Sequence, residues 1–411
     1  MQLIEKRKLI FRVLVVTKCR SRMLSKLNIT RFYQFLGLLV VAEAETEESR
    51  RWERCLKLWS CVIFALNLCV TVISFYYADE IFYSNDVVGK FNDFLKYLMV
   101  SGTFYVTIIE SFGKAGNLKK FYRRFLHVRD KCRAINVDVV PVLDDFKYKL
   151  NRKVVPVVIL CLCYVIYECG IFKSTKKMQF YAYISTFPAF VCRCRHLQFA
   201  YYVVHVNAVI EALNEKLRSI MRQSKDTKNL DGTVTKSDMK DEKMLCEQLE
   251  RVKIVYGEVW MLTHDVNEFF GWSTCFNFAQ NFVEITCDLY WIYMTMTLTR
   301  VTGYNRINFI LLIIFPILTM MSICCLINAT SKCYFEASKS PQILHQICRK
   351  PKNVDLNNLV RHFSLQLKHE EIKFTAHNFF TVSRSLLGDI AGGVVAYLVI
   401  FVQFAPQKFD V

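Results

Sequence analysis

Four polar side chains recur on one face of an otherwise apolar stretch of the chain. Asn277, Asn281, Glu284 and Asp288 are spaced at i, i+4, i+7 and i+11, so a helix places them in one stripe over three turns. Ionisable side chains inside a membrane span are costly and face protein or water. Two interpretations stay open: hydrogen bonding between helices, or a water-filled cavity open to the outside.

Aromatic residues are expected at the same depth as this stripe. Aromatic walls with a few polar anchors are typical of a small-molecule pocket, although aromatic residues also form belts at membrane interfaces. Lys96 is expected to add charge at the rim. The residues predicted to form a ligand pocket are Tyr164, Tyr167, Glu168, Tyr181, Tyr183, Phe187, Asn281, Glu284, Asp288 and Trp291.

The elements that position these residues are apolar segments of membrane-spanning length. The chain has 411 residues, of which 53% are hydrophobic. About 20 helical residues cross a hydrocarbon core. The segments that meet this length are 58–77, 91–111, 154–172, 179–201, 271–297, 307–329 and 386–405. The predicted fold class is therefore all-α, a polytopic membrane protein with seven transmembrane helices.

The basic residues predict the orientation of these spans. Of the 54 Lys and Arg residues, 44 fall in alternate segments, beginning with the amino-terminal one. Because such residues concentrate on the cytoplasmic side, the amino end is predicted to be cytosolic and the carboxyl end extracellular. The net charge of +18 follows this side, which argues against nucleic-acid binding. Arg193 and Arg195, in the fourth span, are expected to reach the cytoplasmic headgroups.

The same topology predicts how the chain is divided. Apolar stripes at helical spacing precede the fifth and seventh spans and extend the fourth, which favours a cytosolic helical bundle. The predicted segments are a cytosolic amphipathic segment (1–57), spans one to four (58–207) with a basic cytosolic loop (112–153), cytosolic helices (208–270) with a flexible linker (224–243), spans five and six (271–329), a cytosolic anchor helix (330–385), a pore-lining seventh span (386–405) and an extracellular tail (406–411).

Motifs of soluble-type catalysis are not found in the sequence, which has no phosphate-binding loop, dinucleotide fingerprint, zinc-protease motif or nucleophile elbow. We therefore expect no enzyme activity, no cofactor and no metal site. Two other uses of the acidic pair remain open. Glu284 and Asp288 could be the coupling site of a secondary transporter, although no repeated halves are seen. They could also serve an intramembrane hydrolase, although no second acidic span clearly faces them.

The seventh span has two unlike faces. One carries small residues and ends in a carboxamide, formed by Gly392, Ala396, Val399 and Gln403. The other is aromatic, formed by Tyr397, Phe401 and Phe404. The small face suits close packing of helices. It also suits several copies of this helix around a water-filled axis, where Gln403 forms a polar constriction and Phe404 closes it by excluding water.

The end of this span resembles that of a known family. The stretch AYLVIFVQF (396–404) is similar to the TYhhhhhQF signature, where h is hydrophobic, of insect gustatory receptors, and the approach FTAHNFFTVSRSLLGDI (374–390) is similar too. Tyr397, Gln403 and Phe404 match the signature. Ala396 stands where the family usually has Thr, and His377-Asn378 stands where a small residue and Gly are common.

This resemblance implies a function. It implies a ligand-gated, non-selective cation channel, a homo- or heterotetramer of related subunits, in place of a G-protein-coupled receptor. The seventh helix would line the pore with Gln403 and Phe404 at the gate, and the cytosolic helices would anchor the subunits. Implied partners are a small-molecule tastant, permeating cations and membrane lipids, and the implied location is the plasma membrane of chemosensory neurons, in the dendrite or axon. Two carboxylates suit a cationic bitter compound and also suit sugars; the bitter or aversive class is favoured because it is the larger part of the family.

Overall fold

A computed structural model of the protein describes residues 29–41, 46–77, 87–145, 147–149, 176–226, 236–302, 306–347 and 354–403, with the isolated residues 152, 155, 156 and 159. The helices used below are α1 Ile29–Phe35, α2 Glu47–Tyr76, α3 Val87–Gly113, α4 Ala115–Ala134, α5 Lys176–Asp226, α6 Lys236–Thr302, α7 Arg306–Ile347, α8 Val354–His369 and α9 Ser385–Gln403. Two short strands, β1 Thr375–Ala376 and β2 Phe380–Thr381, lie between α8 and α9. The chain is otherwise helical wherever these residues form regular structure, which confirms the predicted all-α class.

Three helices in the described part of the chain are long and apolar enough to cross a membrane: Glu47–Tyr76, Ile313–Ile347 and Ser385–Gln403. They contain most of the first, sixth and seventh predicted spans. The second, fourth and fifth predicted spans lie inside α3, α5 and α6, where several charged side chains are buried among neighbouring helices. The third predicted span falls largely outside the described residues.

Helix α2 is arranged inside out compared with a helix of a water-soluble protein. Its buried side chains are mainly polar and include Ser60, Asn67 and Thr71. Its exposed side chains include Leu58 and Leu66, which are 67% and 63% exposed. Polar groups facing other helices and apolar groups facing outward are expected where the surroundings are lipid.

The three longest helices form the centre of the fold and extend beyond membrane length. Helix α5 packs along α7, and α6 packs along both α3 and α5. Helix α6 has 67 residues, which is roughly 100 Å at 1.5 Å per residue. Its amino-terminal half meets α8, where Tyr256 and Phe363 have ring centroids 6.0 Å apart. The apolar stripes expected in a cytosolic bundle are buried there, including Leu217, Leu249, Val252, Val360 and Leu367.

The predicted linker over 224–243 is too long at both ends. Helix α5 continues to Asp226 and α6 already begins at Lys236, so only 227–235 remain, outside the described residues. The segment 236–243 has no apolar stripe, which is why it was predicted to be irregular. It contains good helix formers, however, and it leads directly into the packed turns that start at Leu245.

Residues 36–41, part of the segment predicted to be cytosolic and amphipathic, are inserted into the bundle. Apart from Gly37, their side chains are almost completely buried. Their backbone is satisfied by side chains, since Gln34 Nε2 donates to the Val41 carbonyl at 3.1 Å and Gln198 Nε2 donates to that of Leu38 at 3.1 Å. Six apolar residues are too few to be recognised as a span, so sequence patterning did not separate them.

A tight hairpin joins the anchor helix α8 to α9, and the sequence did not predict it. His377 and Asn378 have φ values of 48° and 62°, and the Phe379 N–H donates to the Ala376 carbonyl at 2.9 Å. Two consecutive positive φ values are typical of a type I′ turn, in which Asn and Gly are favoured. The positions where the family resemblance led us to expect smaller residues are therefore the ones that adopt the left-handed conformation.

Candidate functional site

The polar stripe of α6 faces the interior of the helical bundle. Asn277, Asn281, Glu284 and Asp288 are each at most 1% exposed. Helices α3, α5 and α7 surround this part of α6 and supply its hydrogen-bond partners. The first of the two sequence interpretations, bonding between helices, therefore describes how these side chains lie.

Glu284 forms a buried ion pair with Arg193 of α5. Thr319 of α7 joins them, because its Oγ1 accepts from Arg193 Nε at 3.1 Å and donates to Glu284 Oε1 at 3.3 Å. Gln280 Nε2 donates to the other carboxylate oxygen at 2.7 Å. The expectation that Arg193 reaches the headgroups is wrong: the side chain is 3% exposed, because a buried carboxylate offers it a better partner than water at the rim.

A second pair lies one turn further along α6, with Asp288 buried and Lys96 partly buried. Lys96 Nζ of α3 donates to Asp288 Oδ1 at 2.5 Å. Its ammonium lies 5.0 Å from the centre of the Phe315 ring, and the guanidinium of Arg193 lies 4.2 Å from the same centre. Both cations therefore contact the same aromatic ring, which stabilises them. Four helices meet at this point, so a change in either pair alters how they pack.

Two further contacts complete the cluster. Asn281 Nδ2 and His196 Nε2 lie 2.7 Å apart, within hydrogen-bond distance. Trp291 Nε1 donates to Asp93 Oδ1 of α3 at 3.0 Å. Each of these contacts joins α6 to a different neighbour, so the stripe is bonded along its length to α3, α5 and α7.

Some polar atoms of the cluster have no hydrogen-bond partner among the residues that the structure describes. They include the Asp288 Oδ2, Gln280 Oε1 and Asn277 Oδ1 atoms and both polar atoms of the Asn92 amide. A buried polar atom without a partner costs about 1–3 kcal/mol.

The structure brings together only part of the predicted pocket. Asn281, Glu284, Asp288 and Trp291 share the cluster described above. Phe187 lies on α5 with its ring centroid 6.1 Å from that of Phe104, and it is 40% exposed. The predicted pocket residues whose side chains lie outside the described part of the chain are Tyr164, Tyr167, Glu168, Tyr181 and Tyr183.

The residues that complete the cluster were not predicted as its members. Arg193, Thr319, His196 and Asp93 lie on helices other than α6. No periodicity relates them to the stripe, and the only available signal was charge inside an apolar span. In the described part of the chain, no group of three or more His, Cys, Asp or Glu is placed to hold a metal ion.

Arg195 also differs from the prediction. It is 1% exposed and its Nη2 lies 3.2 Å from Glu110 Oε2 of α3. The guanidinium is also within 4.6 Å of the Phe269 and Phe270 ring centres. A pair of this kind replaces the headgroup contact that was expected, because Glu110 supplies the compensating charge within the protein.

Helix α9 packs on α6 with its aromatic side. The Tyr397 ring lies 5.6 Å from that of Phe282, and the Phe401 ring lies 6.1 Å from that of Tyr290. The side with small residues is exposed, and it carries Gly392, Ala396, Val399 and Gln403. Phe404 lies outside the described residues. Only 6% of α9 is buried, so this membrane-length helix leaves most of its surface without contact to the described residues.

Comparisons with known proteins agree with this architecture. The profile of the 7tm Chemosensory receptor family matches residues 29–408. Gustatory receptor 2a of Drosophila melanogaster is 22% identical over 343 residues, which cover 77% of this chain and 78% of that protein. The insect olfactory receptor OR5 from Machilis hrabei has a similar fold, with a TM-score of 0.67 and 10% identity over 91% of this chain and 98% of that one. The same receptor in complex with eugenol gives a TM-score of 0.60 and 9% identity, over 95% and 99% of the two chains.

The family match defines the class of the protein as a helical membrane chemosensory receptor, not an enzyme. The chain belongs to the 7tm Chemosensory receptor family, and its expected membership of the insect gustatory receptors is confirmed.

Proposed function

We propose that this chain is a gustatory chemoreceptor that forms a ligand-gated, non-selective cation channel. Four subunits, identical or related, would surround one pore lined by α9, in the plasma membrane of chemosensory neurons. A small tastant would open it by binding the polar cluster of α6 from the extracellular side. Because a ligand shifts an equilibrium only through different affinities for its two states, the open state must bind the tastant more tightly.

The observation that carries this proposal is the exposed small-residue face of α9. No described residue comes within 4 Å of a Cβ built on Gly392. Gln403, at the other end of the same face, is also exposed. A carboxamide directed at lipid is unfavourable, whereas a carboxamide directed at an aqueous axis is hydrated. Copies of α9 around such an axis account for both the small residues and the glutamine.

The proposed ligand site rests on the two ion pairs of Glu284 with Arg193 and of Asp288 with Lys96. A cationic ligand would compete with Lys96 for Asp288, whose Oδ2 has no partner among the described residues. This chemistry supports the bitter or aversive class over sugars. Of the fold relatives, the Machilis hrabei receptor binds eugenol, which supports a small-molecule ligand of modest size. The aromatic residues predicted for the pocket, including Tyr164, Tyr167 and Phe187, would form its walls.

A secondary transporter that uses Glu284 and Asp288 as its coupling site is the other function we considered. In the structure each of these carboxylates already has a cationic side chain as partner, Arg193 and Lys96 respectively. A coupling ion would have to displace a bound cation at both positions. The geometry therefore favours the channel.

The test of the pore uses Gln403→Ala. In cells that express the wild-type chain, alone or with sister subunits, a panel of tastants identifies an agonist by patch clamp. We expect Gln403→Ala to reach the cell surface in normal amount but to change ion permeation or the voltage and agonist dependence of the current. Wild-type currents from Gln403→Ala would remove Gln403 from the pore.

The control for this test is Leu398→Ala, which shortens a side chain on the opposite side of α9. Its permeation should equal that of the wild type. Tastant-dependent uptake of a solute in the absence of any gated current would instead support the transporter.

A further inference from the structure

Helix α6 is continuous from Lys236 to Thr302, but side chains of neighbouring elements bond to its main chain where it enters the bundle. Two consecutive backbone N–H groups, of Trp272 and Ser273, donate to the carboxylate of Glu110 on α3, at 3.0 and 2.9 Å. The Nζ of Lys114, in the turn between α3 and α4, donates to the Glu268 carbonyl at 2.6 Å. Side chains at the end of α3 and in this turn therefore bond both donors and acceptors of the α6 main chain.

Arg195 of α5 completes this arrangement. Its Nη2 donates to the Phe269 carbonyl at 3.3 Å and to Glu110 at 3.2 Å, and its Nε donates to Ser273 Oγ at 2.9 Å. Its Nη1 donates to Ser111 Oγ at 3.2 Å and Gln198 Oε1 at 2.9 Å. The guanidinium is thus fully bonded although it is buried. We call Glu110, Lys114 and Arg195 the clasp.

The clasp engages both ends of two backbone bonds that a regular helix would close internally. In an α-helix each N–H donates to the carbonyl four residues earlier. Here those pairs are Trp272 with Glu268 and Ser273 with Phe269, and all four groups bond to clasp side chains. Insertion of side chains into this ladder is a known cause of helix kinks.

The same segment touches the hairpin that leads into α9. A Cβ on Gly271 would lie 3.3 Å from His377 Cβ and 3.4 Å from its backbone, so any larger residue would have to push the hairpin back by a few tenths of an ångström. The Trp272 ring stands edge-on to that of His377 at 4.3 Å. Asn267 bonds both edges of the approach, accepting from the Thr375 N–H at 3.1 Å and donating to the Lys373 carbonyl at 2.7 Å.

From these contacts we propose that residues 268–273 form a hinge in α6, held by the clasp, that passes movements of α3 and α5 to the hairpin and so to α9. Internal helix bonds move with their own helix, whereas four main-chain groups of this segment are also bonded to side chains of neighbouring elements. A shift of α3 or α5 therefore has to change the α6 backbone at this point. The consequence for gating rests on the channel function proposed above, while the hinge itself does not.

Amide hydrogen exchange of the purified full-length protein in lipid nanodiscs tests the hinge without any ligand. Glu110→Gln keeps the shape of the side chain and removes the charge that holds Trp272, Ser273 and Arg195. We expect exchange in peptides covering 268–273 to rise roughly tenfold, and exchange in the hairpin peptide 373–382 to rise with it. Exchange over 245–256, nearer the amino end of α6, should not change.

The matched control is Glu258→Gln. Glu258 lies on α6, the helix that contains the hinge. Its carboxylate pairs with Lys131 Nζ of α4 at 3.0 Å, and this contact involves side chains alone. It should leave all three peptides unchanged. Unchanged exchange over 268–273 in Glu110→Gln, or an equal rise along the whole of α6, would overturn the hinge. A rise over 268–273 without one over 373–382 would overturn the transmission to the hairpin.

Lys114→Met provides a second variant if Glu110→Gln does not fold. The Lys114 side chain is 28% exposed. Its replacement by Met leaves the pair of Glu110 with Arg195 intact. We expect a smaller rise, roughly threefold, confined to 268–273; wild-type exchange there would contradict the proposal.

In patch clamp, Glu110→Gln should shift the resting open probability and Glu258→Gln should not. A wild-type chain that carries no current refutes the channel and leaves the exchange result to decide the hinge.

Discussion

At the scale of single residues, the most consequential feature is that cations are buried together with their acids. Arg193 and Glu284 are 3% and 0% exposed, and Thr319 bonds both. Removing one partner of a buried pair leaves an uncompensated charge, whereas replacing both with apolar residues is often tolerated. The packing of each of the helices α5, α6 and α7 on the other two therefore depends on this pair.

We predict that Glu284→Gln destabilises the protein by about 3–5 kcal/mol, because Arg193 is left charged and buried. The measurement is the thermal midpoint of the monodisperse detergent-solubilised protein, followed by fluorescence size exclusion. The double change of Arg193→Met with Glu284→Met should recover much of this loss. As a control, Glu215→Gln breaks an exposed pair with Arg218 and should change stability by at most about 0.5 kcal/mol. Equal midpoints for Glu284→Gln and Glu215→Gln would contradict the prediction.

We predict that Asp288→Asn and Trp291→Ala change agonist potency. Asp288→Asn removes the charge that Lys96 balances, and Trp291→Ala removes the hydrogen bond to Asp93. Dose–response curves by patch clamp, corrected for surface expression, measure the effect. Unchanged curves for both variants would exclude these residues from the ligand site.

At this scale the sequence predicted which side of α6 is polar, but it did not predict which residues of other helices bond to that side. The spacing of Asn277, Asn281, Glu284 and Asp288 was sufficient to place them on one side of a helix. Arg193 lies 91 positions before Glu284, on a different helix, and local spacing carries no information about such a distance. Considered alone, an arginine in a span is expected to extend to the headgroups. In the structure Arg193 pairs with Glu284 of another helix.

At the scale of elements, the connection between α8 and α9 is defined by a close approach of two backbones. Gly271 of α6 lies against His377 of the hairpin, and Asn267 bonds the hairpin main chain on the same side. Position and direction of α9 therefore depend on this short contact. The following two predictions concern it.

Gly271→Ala is predicted to destabilise the docked hairpin. Alanine gains about 1 kcal/mol of helix propensity, but its Cβ would press on the His377 backbone, which costs about 1–3 kcal/mol. The readout is hydrogen exchange over 373–382 together with the thermal midpoint. Gly102→Ala is the control, because no described group lies within 4 Å of a Cβ at that position of α3. It should leave exchange at the hairpin unchanged; equal hairpin exchange in both variants would refute the close approach.

Asn378 allows a test of the turn itself. Its φ of 62° is accessible to Gly and Asn and costly for a β-branched residue. Asn378→Gly should remain close to wild type, whereas Asn378→Val should lose about 1–3 kcal/mol. Thermal midpoints of the two variants measure this difference, and identical values would show that the turn does not need the left-handed conformation.

The elements themselves were largely predictable, and their connections were not. Apolar length alone indicated the segments now found in α2, α7 and α9. The hairpin was missed because His-Asn is not among the dipeptides that usually indicate such a turn. The linker was drawn too long because the first turns of α6 have no apolar side to recognise, and they are helical through continuity with the packed turns that follow.

At the scale of the whole molecule, α9 distinguishes this chain from a self-contained bundle. It packs on α6 through Tyr397 and Phe401 and exposes Gly392, Ala396 and Gln403. The family and the fold were foreseeable from the sequence because the closing signature lies in this helix. The tetrameric assembly stays a prediction from the family resemblance, because one chain contains no direct record of its symmetry.

We predict that copies of α9 come close enough to be linked. Ala396→Cys should form a disulfide between subunits under mild oxidation in membranes, because this residue lies on the exposed small-residue face. Val394→Cys should not, because Val394 is 6% exposed and faces its own subunit. Non-reducing gel electrophoresis measures the dimer band above the wild-type background. Equal bands for the two variants would argue against a pore formed by α9.

The insertion of residues 36–41 has a consequence for biogenesis. The Leu38 carbonyl is bonded by Gln198, a residue that the ribosome adds 160 positions later. Helix α2 already offers a partner, since Ser60 Oγ donates to the Gly37 carbonyl at 3.5 Å, but the bond from Gln198 forms only after α5 has been translated and placed in the bilayer. Complete seating of this stretch is therefore a late, post-insertional step, and a fusion or deletion near it would impair maturation and export while leaving insertion of the spans intact.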